Sequence, residues 1–101
     1  MTARIEVERV SESEFRVRVI EGRSESSHSV TLRPEDHQRL AGGQAEAEEL
    51  VRRSFEFLLE REPKESVLSR FDLPVIARYF PEYEREIKRR LPAISPRREQ
   101  R

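Results

Sequence analysis

Apolar and polar residues alternate one for one along two stretches near the start of the chain. Ile5 and Val7 alternate with Glu6 and Glu8, and Phe15, Val17 and Val19 alternate with Arg16 and Arg18. A period of two marks a half-buried strand. The short Ser11-Glu12-Ser13 link between them predicts a hairpin. Its charges fix the register: Glu8 opposite Arg16 and Glu6 opposite Arg18 bring Val7 against Val17 and Ile5 against Val19. A slip of one residue would set valine against glutamate. A polar loop, Glu21 to Ser27, then leads to an expected third strand from His28 to Arg33. In that strand Val30 and Leu32 face inward, His28 sits at the inward edge, and Ser29 and Thr31 face out. The simplest arrangement is a three-stranded antiparallel meander.

Beyond Arg33 the period lengthens to that of a helix. Pro34 opens a short helix through Leu40, and Gly42-Gly43 ends it. A long helix is predicted from Ala45 to Glu62. Ala47, Leu50, Val51, Ser54, Phe55 and Leu58 cluster on one side, and Phe57 and Leu59 widen the stripe. An arc that wide is covered by two neighbours, the sheet and the C-terminal segment. Proline divides the remainder of the chain into short helical pieces: Lys64 to Phe71, then a turn through Pro74, Val75, Ile76 and Phe80 with Asp72 as its N-cap. A last helix from Pro81 carries Tyr83, Ile87 and Leu91, and Pro92 stops it. The fold class is therefore α+β, with one long helix packed on the sheet and short helices after it.

Composition narrows this picture. The chain has 101 residues, of which 35% are hydrophobic and 40% charged. That predicts one domain over residues 1–91 with a thin core, followed by a disordered basic tail over 92–101. Dimerisation is a natural addition to so small a core. With no cysteine there is no disulfide framework, thiolate nucleophile or cysteine metal site. No apolar run suggests a signal peptide or a membrane span, so a cytoplasmic protein is expected. Net charge is zero but uneven: residues 1–50 hold 7 Arg against 11 acids, and residues 51–101 hold 13 Arg and Lys against 9 acids.

Candidate chemistry is sparse. His28 and His37 fit no metal spacing and would need carboxylates beside them to act in catalysis. The serines at 24, 26, 27 and 29 lack a nucleophile elbow, and three glycines build no phosphate loop. Enzymatic activity, a cofactor, a metal and a small-molecule ligand are not expected. Two features remain. The basic end, Lys88, Arg89, Arg90, Arg97 and Arg98, could contact the phosphates of nucleic acid, although no aromatic residue is interleaved to stack on bases. The segment after Pro63 is denser in apolar residues than a small core needs. It holds Val67, Leu68, Phe71, Leu73, Val75, Ile76, Tyr79 and Phe80, a candidate protein interface. The same segment could pass for helix-turn-helix, but its second helix is too short to reach along a major groove.

The stretch from Phe55 to Glu84, FEFLLEREPKESVLSRFDLPVIARYFPEYE, resembles a family of small uncharacterised bacterial proteins, with similarity running from the hairpin to about Ile87. No activity or functional residue comes with that resemblance. In element order alone, strands followed by a Glu-, Arg- and Leu-rich helix are similar to the HicB-like antitoxin fold, whose glycine-centred segment Gly42-Gly43 echoes. The expected function is a non-catalytic interaction protein that self-associates, or binds a protein partner, through the apolar C-terminal segment. The alternative is an antitoxin-like regulator that uses the Arg-rich end on nucleic acid.

Overall fold

The hairpin forms in the predicted register. The computed structural model describes residues 3–43 and 45–91. In it β1 (Arg4–Arg9) pairs antiparallel with β2 (Glu14–Glu21), matching Ile5 with Val19, Glu6 with Arg18, Val7 with Val17 and Glu8 with Arg16. Arg18 lies 2.9 Å from Glu6, and Arg16 3.8 Å from Glu8. Exposed pairs of this kind contribute little to stability, so they mainly set alignment.

β3 (Ser24–Thr31) begins earlier than its apolar residues indicate. The expected long loop shrinks to Gly22-Arg23, with Gly22 at φ 61° in the first central position, as a type II′ hairpin turn requires. Backbone pairing with β2 recruits Ser24 to Ser27 despite their polarity, since their side chains add no alternation for the eye to follow.

The larger correction is a fourth strand. β4 (Arg70–Asp72) runs parallel to β3, pairing Ser29 with Arg70, Val30 with Phe71 and Thr31 with Asp72. The sheet is therefore four-stranded and mixed, in the order β1-β2-β3-β4, where three antiparallel strands were expected. The helix predicted from Lys64 to Phe71 is reduced to a single 3₁₀ turn at Lys64–Ser66. The reason is the open edge of β3, whose backbone groups need partners. Extending the chain there satisfies them, and the Ser29 N–H donates to the Ser69 carbonyl at 2.7 Å. It also lays Phe71 beside Val30 on the inner face.

Helices supply the crossover a parallel pair needs. α1 (Pro34–Ala41) starts at its proline and stops at Gly42, whose φ of 57° ends the helix. α2 (Ala47–Leu59) is shorter at both ends than predicted, and Glu60 to Glu62 continue as turns onto Glu56 and Leu58 carbonyls. A 3₁₀ turn at Leu73–Val75 leads into α3 (Ile76–Tyr79) and α4 (Tyr83–Arg90). Asp72 stands at the N-cap of that turn but caps nothing; its carboxylate lies 3.6 Å from Arg33.

One core joins these layers. Phe15, Val17, Val19 and Val30 from the sheet are buried with Leu50, Val51 and Phe55 of α2. On another side of α2, Phe57 meets Tyr83 and Phe80, at centroid distances of 5.4 and 5.9 Å. Beside it the buried Ser54 hydroxyl donates to the Leu50 carbonyl at 2.8 Å. That hydrogen is thereby used, so the Tyr83 hydroxyl, 2.6 Å away, donates to Ser54.

Burial lifts the Tyr83 hydroxyl well above the ordinary tyrosine value of 10.0. The unfolded chain releases this proton near the ordinary value and the folded chain keeps it. The resulting stability is whole below that value and falls as pH rises past it, by about 1.4 kcal/mol per unit. Tyr83→Phe should cost about 1 kcal/mol at neutral pH and flatten the alkaline fall. Urea midpoints up to about pH 11 would measure this, and parallel declines in the two proteins would refute it.

Candidate protein-interaction surface

Between α2 and α3 the chain from Pro63 to Asp72 runs along the edge of β3 as a strap, fastened at three points. The first is Lys64, only 2% exposed. Its ammonium reaches the Ser24 hydroxyl, the Glu65 carboxylate at 2.5 Å and Glu21 at 3.6 Å. The second is His28, buried beneath the strap. Its Nδ1 lies 2.8 Å from the Leu68 carbonyl; that oxygen only accepts, so Nδ1 carries the hydrogen. Nε2 then accepts from the Ser26 hydroxyl at 2.8 Å, and the ring rests on Phe55 at 5.3 Å. The third is the β3–β4 pairing.

The strap forms one wall of an apolar hollow of about 390 Å³. Leu58 and Glu62 at the end of α2 form another, and Val75, Ile76, Tyr79 and Phe80 the third. Of the eight apolar residues singled out in the sequence, seven line this hollow; the eighth, Leu73, is fully buried in the core. Val67, Phe71 and Ile76 are its buried floor, and Val75 and Phe80 are half-buried. Leu68, 48% exposed, and Tyr79, 65% exposed, stand on the rim. With Val10 they are the exposed large hydrophobics among the described residues.

Three lining residues were not anticipated. Leu58 read as part of the sheet-facing stripe, and Glu62 and Ser66 carried no signal. Among the described residues the Glu62 carboxylate makes no ion pair, although it borders an apolar wall. The hollow has the size and apolar lining of pockets that take small ligands or a partner's side chains.

The basic end divides. Lys88 and Arg89 are exposed on α4, Arg89 lying 3.2 Å from Glu86. Arg90 instead turns inward and grips the Glu60 carboxylate with two bonds of 2.5 and 2.8 Å, its guanidinium 5.6 Å from the Phe57 ring. That grip holds the Glu60 carboxyl below its ordinary value. Arg90 thus serves the fold. Arg97, Arg98 and the predicted tail over 92–101 lie outside the described residues.

Among the described residues, two other groups of polar side chains are held in hydrogen bonds within the fold. His37 Nε2 bonds the Ala45 carbonyl at 2.7 Å, so the two histidines are each committed to a different backbone oxygen. Ser24 and Lys64 resemble a nucleophile and its base. However, the hydrogen bond to Glu65, with the charges of Glu65 and Glu21, raises the Lys64 amine above its ordinary value despite burial. Held as an ammonium, it has no lone pair to take a serine proton. A wider cleft of about 770 Å³ lies along β1 and α2, lined mainly by Arg4, Glu6, Glu21, Arg52, Glu56 and Glu60. There Arg52 donates to the Ile5 carbonyl at 2.6 Å, covering part of the open edge of β1.

Among the described residues no group of three or more histidines or acids could hold a metal, and no helix is long and apolar enough to cross a membrane. Compared with protein-family models, curated proteins and solved structures, the chain matches none.

Proposed function

We propose that this chain is a non-catalytic interaction protein whose strap-walled hollow receives apolar side chains of another polypeptide. The supporting observation is the pairing of that hollow with Leu68 and Tyr79, large apolar residues left 48% and 65% open to water on its rim. A core-forming segment would turn such residues inward, whereas a docking surface holds them out. A nucleic-acid role for the basic end has less support, because Arg90 is tied to Glu60 and no aromatic platform accompanies Lys88 and Arg89.

A neutral solvatochromic dye such as Nile red tests the reading. Diluted to its monomer, the native protein should bind it, and the double variant Leu68→Ser, Tyr79→Ser should lose most of that binding. Leu68 is about half exposed and Tyr79 more so, so each change should cost about 1 kcal/mol or less. No dye binding by a native monomer, or equal binding by the variant, would remove the proposal.

A further inference from the structure

We infer that the occupant of the hollow is a second copy of this chain, in a two-fold dimer where each copy seats its Tyr79 in the other's hollow. This rests on the hollow being an interaction surface, and it adds the partner.

A two-fold interface is made from one patch that must complement itself, so projection and recess have to lie within the same surface. Here they do: Tyr79 projects from the rim of the recess it helps to line. Its phenol suits the site, since the ring is apolar and the hydroxyl can stay wet or reach Ser66 at the far wall.

Charge narrows the choice of partner. Glu62 borders the hollow, and Arg78 precedes Tyr79 on α3, exposed. Neither makes an ion pair among the described residues. Two nearby cations are engaged: Arg61 with Glu82 at 3.2 Å, and Arg90 with Glu60 at 2.5 Å. A partner without a cation at the right place would cover Glu62 and leave it unpaired, which is unfavourable. A second copy brings Arg78 beside the incoming Tyr79, and the two-fold axis repeats the pair. The patch therefore carries its own counter-charge as well as its own projection.

Sedimentation of the full chain from about 1 µM to about 1 mM tests this, with circular dichroism confirming that each variant is folded. The native chain should reach twice its monomer mass. Glu62→Arg and Arg78→Glu should each weaken dimerisation by about tenfold or more, because like charges then face each other. An equimolar mixture of those two variants should form a heterodimer, since both facing pairs are opposite again. Glu62→Arg with Arg78→Glu in one chain should restore the homodimer with the net charge unchanged. A merely structural defect in either variant would not be repaired by mixing.

A native dimer indifferent to Glu62, Arg78 and Tyr79 would overturn the inference, because association would then lie elsewhere. A native monomer that still binds dye through Leu68 and Tyr79 would exclude the second copy and leave the hollow as a site for a different protein. A monomer without that dye binding would remove both readings.

Discussion

Phe57→Ala is expected to lose about 3–5 kcal/mol, a large share of the roughly 5–15 kcal/mol that holds a domain of this size. The ring is fully buried between α2 and α4, with Tyr83 and Phe80 at its edges. The Arg61 guanidinium lies over it at 3.7 Å and that of Arg90 at 5.6 Å. Alanine would leave a cavity among the rings and remove the surface on which both guanidiniums rest. Arg61 and Arg90 also hold Glu82 and Glu60, so the ion pairs joining α2 to α4 should loosen together. Phe57→Leu keeps much of the volume without the aromatic faces, and its smaller loss would separate packing from cation attraction. Urea unfolding at constant slope is the measurement. A loss under about 1 kcal/mol would show that the aromatic cluster adds little.

His28→Ala is expected to act locally first, freeing the strap before the sheet. The substitution removes the donor to the Leu68 carbonyl, the acceptor for Ser26 and the ring against Phe55. An unpaired buried carbonyl and a cavity together should cost about 2–4 kcal/mol. The strap depends on two other fasteners, so amide exchange should quicken most from Val67 to Asp72 while the β1–β2 hairpin keeps its protection. His28→Phe, which refills the space but leaves the carbonyl without a donor, should fall between alanine and native. Uniform acceleration along the chain would show that the strap and sheet open as one unit. Unchanged exchange would show that His28 fastens nothing.

The hairpin was legible because its alternation and its charges select the same register, so one choice satisfies both. α1 was legible because Pro34 and Gly42 each demand a particular backbone angle. β4 was not, since Arg70-Phe71-Asp72 is too short to display a period, and its strand form comes from an edge built some forty residues earlier. The apolar surface was legible as a set of residues, apart from Leu73. Its polar members were not, because a glutamate at a helix end looks the same in sequence whether it faces water or a hollow. Lys64 was invisible for a similar reason: its burial depends on Ser24 and Glu21, which only the folded sheet brings near.

The fastening of Lys64 has a practical consequence for chemical labelling. The chain holds two lysines against eighteen arginines. Acylating reagents attack only neutral, accessible amines, and Lys64 is both enclosed and held protonated, while Lys88 stands open on α4. Lys88 should therefore acquire label promptly and Lys64 only when the strap lifts. The ratio of label at the two positions would time that opening from within a single chain, with Lys88 as the built-in reference.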